Sequence, residues 1–409
     1  MAFWNKAITL FEEFCRNLIN FGFTKSTPMK TQLSRRDWFK STAALSAGLV
    51  ISGSVLDRLM AAPMSRAEEG RWTKTANGGK VRLNANENPY GPSEKARQAV
   101  VQILSEANRY PFDAVNDLKS ILAKKEGVPT EYIHIGAGSG DLLCQAGTAF
   151  GIEGKRVASC YPTFTLLMNY SQVFNATWDK VDLTEKLEYD YDALARAVRS
   201  DTQLVFICNP NNPTGTLVDP QKVKSFCEEV SPKTVVYSDE AYLEFLEPAQ
   251  QVSLVDLVRK DMNVVVSRTF SKVYGLAGLR IGYLVAKPDL IKKISKYGGD
   301  FPFSQTAIAA AKASLGDENF MAMVRSKNAV ARKVLTDYLD QHKIFYGKSL
   351  TNFVFFPAQK DGKTILSKME ERGYLMRIWD YQHKEWCRVS IGTEDEMRGF
   401  VKSFGDFVS

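Results

Sequence analysis

LVFICNPNNPTG (Leu204 to Gly215), TVVYSDEAY (Thr234 to Tyr242) and NVVVSRTFSK (Asn263 to Lys272) repeat one pattern, a short apolar run rich in β-branched residues that ends abruptly in polar ones. Such runs, bounded by turn formers, read as strands buried on both faces. Similar runs stand at Tyr132 to Ile135 and Arg280 to Val285, and helix-period patterns lie between them at Glu94 to Asn108, Val115 to Lys125, Asp192 to Arg199 and Pro220 to Val230. Strands alternating with helices predict an α/β fold, a three-layer α/β/α domain around a mainly parallel sheet. Ligands of such sheets sit beyond the carboxyl ends of the strands, so Asn212, Asp239 and Lys272 are expected to converge on one crevice.

The pattern changes after Phe301. A long helical segment from Glu318 to Gln341, a strand at Phe353 to Phe356, a helix near Lys363 to Arg372 and a strand near Arg388 to Ile391 predict a smaller α+β domain. The expected organisation is a leader over 1–67, an N-terminal arm with part of the small domain over 68–108, a large domain over 109–305 and a small domain over 306–409.

Composition excludes several classes. The 409 residues are 44% hydrophobic and 24% charged, which suits a globular chain and neither a disordered nor a polytopic membrane one. The net charge of +7 is concentrated in residues 1–67, with nine basic against four acidic residues, leaving 44 against 42 elsewhere, so no nucleic-acid partner is expected. Cys144, Cys160, Cys208, Cys227 and Cys387 lie mostly in apolar runs, without a CxxC, and His134, His342 and His383 are scattered. They read as core thiols, and no metal site is expected.

SRRDWFK (Ser34 to Lys40), with paired Arg35 and Arg36 before an uncharged stretch from Ser41 to Leu56, resembles a twin-arginine export signal. That stretch is 16 residues long, short of the roughly 18 to 20 that span a bilayer. Export through the twin-arginine translocase to the periplasm, or another extracytoplasmic space, is expected. An uncleaved leader serving as a membrane anchor is the second reading. Residues 1–28 carry an apolar face at helical spacing, and Met29 would give a signal of ordinary length; an amphipathic membrane-surface helix is the rival reading.

Four motifs occur in a telling order: Asn86-Glu87-Asn88-Pro89, NPNNPTG (Asn209 to Gly215), SDEAY (Ser238 to Tyr242) and SKVYGLAGLRIGY (Ser271 to Tyr283). In this order and over roughly Val81 to the C-terminus the chain resembles the fold-type I pyridoxal-phosphate aminotransferases, most closely the histidinol-phosphate aminotransferase branch. The resemblance implies pyridoxal 5'-phosphate as cofactor and transfer of an amino group between an amino acid and a 2-oxo acid.

It also implies roles for residues. Lys272 forms a Schiff base with the cofactor and moves the proton at the substrate Cα. Asp239 pairs with the ring nitrogen, while Tyr242 and Asn212 bond the phenolic oxygen. Gly138, Ser139 and Gly140 in GAGSGD, with Thr269, Ser271 and Arg280, hold the phosphate at a helix N-terminus, although the family has a carboxylate where this chain has Gly140. Phe164 stacks on the ring. Tyr110 reaches the partner's cofactor phosphate in a homodimer with shared active sites. Arg388, with Asn352 and Asn88 nearby, binds the substrate carboxylate, and Arg377 aligns with the arginine used for substrate phosphate.

Two segments depart from the branch. The stretch from Arg377 to Arg388 is shortened and carries Trp379, Tyr381, His383 and Trp386, and YGGDFPFSQ (Tyr297 to Gln305) replaces an Asn-containing segment. The expectation is a rebuilt side-chain pocket suited to a free aromatic or other bulky amino acid. Decarboxylation or racemisation on the same site is the alternative chemistry. A non-catalytic ligand-binding protein is a third reading, against which stands the complete set of Lys272, Asp239 and Arg388.

Overall fold

The structure is a computed structural model that describes residues 79–299 and 303–408. The leader, with Arg35, Arg36 and Met29, lies outside the described residues, as does the centre of the 297–305 segment.

Twelve strands can be labelled in chain order: β1 Val81–Arg82, β2 Ile133–Gly136, β3 Arg156–Tyr161, β4 Thr177–Asp182, β5 Thr202–Cys208, β6 Val235–Asp239, β7 Val264–Thr269, β8 Gly282–Ala286, β9 Phe353–Pro357, β10 Tyr374–Leu375, β11 Arg377–Tyr381 and β12 Lys384–Ser390. Seven of them form the large sheet in the order β2-β8-β7-β6-β5-β3-β4. Every neighbouring pair is parallel except those made by β8, which runs antiparallel to both β2 and β7. The α/β class and the mainly parallel sheet are as the alternation of runs predicts.

Two strands of the large sheet escaped the sequence reading. β3 is interrupted by Ser159, and β4 reads TWDKVD on the sheet edge, where charged side chains face water and remove the apolar signature. Arg156 of β3 pairs with Asp179 of β4.

Helix ends follow local chemistry. Ser93 Oγ caps the helix Glu94–Ile103 by accepting from Ala96 N at 3.2 Å, and Asp219 caps Pro220–Val230, whose first residue is proline. Gly127 ends Phe112–Glu126 with φ 64°, a left-handed conformation that favours glycine.

The smaller sheet has the order β11-β12-β9, all antiparallel, and β1 pairs with β10. One face of this sheet carries Val354, Phe356, Cys387 and Val389 into a core with Leu83, Leu335, Phe400 and Phe404. Phe353, Phe355, Tyr381 and Trp386 join the larger core instead. The two cores divide inside the helix Glu318–Gln341, with Met321 and Val324 on the large core and Ala331 and Leu335 on the small one. The arm behaves similarly: Leu83 belongs to the small core and Ala96 to the large one.

The shortened hairpin between β11 and β12 turns on Gln382 and His383, with φ of 50° and 58°. Two successive left-handed residues in a two-residue loop define a mirror-image turn that favours Asn-Gly, and each non-glycine residue there costs about 1 kcal/mol. The double substitution Gln382→Asn/His383→Gly is expected to stabilise the protein by up to about 1 kcal/mol. A urea midpoint unchanged or lowered would show that the turn is not the limiting geometry.

Candidate active site

Strands β5, β6 and β7 lie side by side and parallel, so the residues that follow them are delivered to one edge of the sheet. Asp239 closes β6 and is buried. Its Oδ1 accepts from Ser267 Oγ at 3.1 Å and from Ala241 N at 3.2 Å, and Oδ2 has no bond among the described residues. Burial pushes the Asp239 carboxyl up to about 6, against the hydrogen bonds and the Lys272 ammonium that favour its charged form.

Lys272 follows β7. Its Nζ donates to the Ala85 carbonyl at 3.3 Å and stands 5.6 Å from the centre of the Tyr242 ring. Burial, and after it the Arg388 guanidinium, bring the Lys272 amine down to about 8. Tyr242 is buried, and its hydroxyl accepts from Asn86 Nδ2 at 3.0 Å and Asn212 Nδ2 at 3.4 Å. Burial raises the Tyr242 phenol well above its ordinary range.

Arg388 comes from β12 of the small sheet and is 3% exposed. Nη1 donates to Asn212 Oδ1 at 3.0 Å and Nη2 to the Asn84 carbonyl at 2.7 Å, while Nε is a buried donor without a partner among the described residues. Burial lowers its pKa to about 10. A buried donor left unmatched costs about 1–3 kcal/mol, which an anion would remove.

A second cluster lies at the N-terminus of the helix Ser139–Gly151, preceded by Gly138 at φ 85°. Arg280 Nη2 donates to the Ala137 carbonyl at 3.3 Å, and Nη1 reaches Ser271 Oγ at 3.4 Å and the Ala277 carbonyl at 2.8 Å. A Cβ on Gly138 would collide with the Arg280 guanidinium, so glycine lets the arginine lie against the loop. Thr269 Oγ1 accepts from Ser271 N at 3.1 Å, and Asp141 Oδ2 pins the loop by accepting from Ala137 N at 3.0 Å. Backbone N–H groups of a helix start, a guanidinium and two hydroxyls make a donor set suited to a phosphate.

Lys272, Asp239, Tyr242, Asn212 and Arg388 are thus brought together, and Gly138, Ser139, Thr269, Ser271 and Arg280 are gathered beside them. Phe164 is half-buried beyond the carboxyl end of β3. Tyr110 is 69% exposed, with its ring 5.8 Å from that of Phe112. Arg377 is exposed but is the cross-strand partner of Arg388, on the same face of the small sheet. Two of the expected substrate residues also have structural bonds. Asn88 Nδ2 donates to the Val273 carbonyl at 2.8 Å and its Oδ1 accepts from Tyr90 N at 2.9 Å, so it braces the arm and keeps one amide N–H uncommitted. Asn352 donates to the carbonyls of Asn86 and Glu87 and presents only a buried acceptor, Oδ1, which does not suit an anion.

The aromatic residues of the shortened hairpin are mostly engaged in packing. Trp386 stacks on Phe355 with centroids 4.9 Å apart and planes at 9°, Tyr381 is buried against Tyr161, and His383 sits in the exposed turn. Only Trp379 remains half-buried beside Arg377 and Arg388. Asn84, Asn86, Ser267 and Ser390 were missed. Asn86 stands in the quoted Asn86-Glu87-Asn88-Pro89 motif and has φ 54°, a conformation asparagine tolerates; Ser390 Oγ holds it by donating to Asn86 Oδ1 at 2.7 Å.

The sequence matches the family model for aminotransferase class I and II over residues 78–404. The chain belongs to the class I and II aminotransferases. It is 37% identical to histidinol-phosphate aminotransferase 1 of Cupriavidus pinatubonensis over 327 residues, 79% of this chain and 87% of that protein. It is 33% identical to the histidinol-phosphate aminotransferase of Moorella thermoacetica over 331 residues, 80% of this chain and 86% of that protein. The crystal structure of the Sinorhizobium meliloti histidinol-phosphate aminotransferase in complex with pyridoxal-5'-phosphate superposes with a TM-score of 0.75 at 26% identity, covering 86% of this chain and 96% of that one. The protein is a pyridoxal-phosphate-dependent aminotransferase of fold type I.

Only a neutral amine attacks an aldehyde, so the pH dependence of cofactor uptake by the cofactor-free aminotransferase tests Lys272 as the attacking amine. The uptake rate is expected to rise with pH through about 8 and then level off. Arg388→Met, by removing a neighbouring positive charge, is expected to move that midpoint upward. A midpoint at the ordinary lysine value in the wild type would contradict the electrostatics of the site.

Proposed function

We propose that this aminotransferase takes its amino group from a primary amine with an anionic end, of the histidinol-phosphate kind, and passes it to a 2-oxo acid. One observation carries the reading: Arg377 and Arg388 are cross-strand partners on one face, near enough that burial and the Arg377 charge together lower the Arg388 pKa, and Arg388 keeps an unmatched Nε. Paired guanidiniums suit a phosphate or carboxylate better than an uncharged aromatic ring does. The relatives named as histidinol-phosphate aminotransferases support a phosphate monoester.

Pyridoxal phosphate, when bound, supplies an electron sink that lowers the barrier to breaking a bond at the substrate Cα. The other roles belong to this chain. Gly138, Ser139, Gly140, Thr269, Ser271 and Arg280 would hold the phosphate. Asp239 would keep a proton at the ring nitrogen. Asn212 and Tyr242 would bond the phenolic oxygen, and Phe164 would pack against the ring. Lys272, made less basic by burial, takes and returns the proton at Cα. Arg388 grips the anionic end of the substrate and fixes which Cα bond stands ready to break. Tyr110, exposed on its own subunit, reaches the phosphate site of the other subunit of a homodimer.

The leader supports export by the twin-arginine route, which carries folded proteins, so the cofactor would be loaded before export. Among the described residues all five cysteines are free, and four of them are buried. Burial raises the thiols of Cys160, Cys208, Cys227 and Cys387 and protects them from oxidation outside the cytoplasm. Replacing Arg35 and Arg36 together by lysine should leave activity intact and retain the protein in the cytoplasm; unchanged distribution between cell fractions would sink the export reading.

Adding candidate amines to the cofactor-loaded enzyme without any oxo acid is expected to shift the cofactor absorbance and release an equivalent of oxo product. Release of carbon dioxide in its place would overturn transamination. Arg388→Met is expected to lower kcat/KM by about ten- to a hundredfold for every donor, and Arg377→Met to do so chiefly for phosphorylated ones.

A further inference from the structure

We infer that Arg268, Glu240 and Glu244 form a buried clasp that positions the cofactor site, holding the turn that carries Tyr242 against the segment that carries Lys272. The inference rests on the cofactor-binding role proposed for that site.

The backbone ladder between β6 and β7 ends where it is needed most. Asp239 and Ser267 are its last paired residues, and Glu240 N donates to the Ser267 carbonyl at 3.0 Å. Beyond that bond the two chains part, one into Tyr242 and the turn Leu243–Phe245, the other into Thr269, Ser271 and Lys272. Side chains alternate across a sheet, so Asp239 and Ser267 share the site's face while Glu240 and Arg268 share the opposite one. Arg268 Nη2 pairs with Glu240 Oε2 at 3.0 Å, and Nη1 pairs with Glu244 Oε1 at 3.0 Å. Glu240 is itself fastened, Oε1 accepting from Leu254 N at 2.9 Å and Oε2 from Ser253 Oγ at 2.8 Å. One guanidinium therefore spans the gap that the ladder leaves open: it precedes Thr269 on one side and holds, on the other, a carboxylate two residues past Tyr242.

All three side chains are buried. Removing such charges from water is so unfavourable that apolar residues of similar volume often stabilise a core as well or better, which makes the cluster a poor device for stability alone. What a two-pronged guanidinium provides is fixed geometry. A third carboxylate, Glu126, lies on the same side, held by the Tyr283 hydroxyl at 2.6 Å and by Lys125 at 3.1 Å, and Tyr283 is the cross-strand partner of Arg268. Glu126 belongs to the helix Phe112–Glu126 and acts on Arg268 through charge alone, with no hydrogen bond or ion pair to either diverging chain, so it serves as the control for the fixed geometry.

The test compares Glu244→Gln with Glu126→Gln in the full-length protein, reading the thermal midpoint, the dissociation constant for pyridoxal phosphate by titration of the cofactor-free form, and kcat and KM. Glu244→Gln is expected to keep a cooperative transition, weaken cofactor binding about tenfold and lower kcat about ten- to a hundredfold, with the donor KM moving less than about threefold. Glu126→Gln is expected to lower the midpoint while leaving the cofactor constant and kcat within about twofold. Glu244→Asp, which keeps the charge, should recover part of the lost kcat. If Glu244→Gln costs thermal stability alone, or if Glu126→Gln reproduces its kinetic defect, the clasp is only structural and the inference falls. Where Glu244→Gln does not fold, Arg268→Lys takes its place: it keeps the charge but loses the fork, and is expected to weaken cofactor binding and lower kcat by the same factors. A loss of thermal stability alone in Arg268→Lys would likewise overturn the inference. Failure of the wild type to take up the cofactor would instead overturn the cofactor-binding role of the site.

Discussion

Arg388 stands where the two hydrophobic cores meet, with its guanidinium withdrawn from water. A charge in that position survives only if polar groups converge on it, because its desolvation costs several kcal/mol. The groups that converge come from distant parts of the chain: Asn212 from the crevice of the large sheet and the Asn84 carbonyl from the arm. The requirement to satisfy one guanidinium therefore fixes how the small sheet, the large sheet and the arm stand relative to one another. Asn212 then links onward to the Tyr242 hydroxyl, which carries the constraint to within reach of Lys272.

The arm shows the same economy on a smaller scale. Asn84 meets Arg388, Ala85 meets Lys272, Asn86 meets Tyr242 and Ser390, Glu87 meets Asn352, and Asn88 meets Val273. Five successive residues each touch a different part of the site. The segment bends at Asn86, with φ 54°, and uses both its side chains and its carbonyls to reach these partners. Such a segment leaves no periodic apolar signal, which explains why its contribution could be anticipated as a motif but not as a set of contacts.

That difference runs through the whole sequence. The central strands were legible because β5, β6 and β7 are buried on both faces and read as uninterrupted apolar runs. β4 was not, because an edge strand with one wet face carries charges. Asn212, Asp239 and Lys272 were legible because each follows an apolar run at the edge where such sheets bind ligands. Arg388 needed the family resemblance, since nothing local marks an arginine on a strand as buried. The hairpin aromatics were legible as residues but not as packing: whether Trp386 lines a pocket or stacks on Phe355 depends on a register between strands about thirty residues apart in sequence, which no local pattern encodes.

The two halves of the site also speak to each other electrostatically. Burial is the first cause of the depressed basicity of Lys272, and the Arg388 charge is the second. An anion that pairs with Arg388 offsets that charge, so the proton affinity of Lys272 rises as the substrate end of the site fills. One buried arginine thus ties the arm and both sheets together and holds down the basicity of Lys272 until an anion offsets its charge.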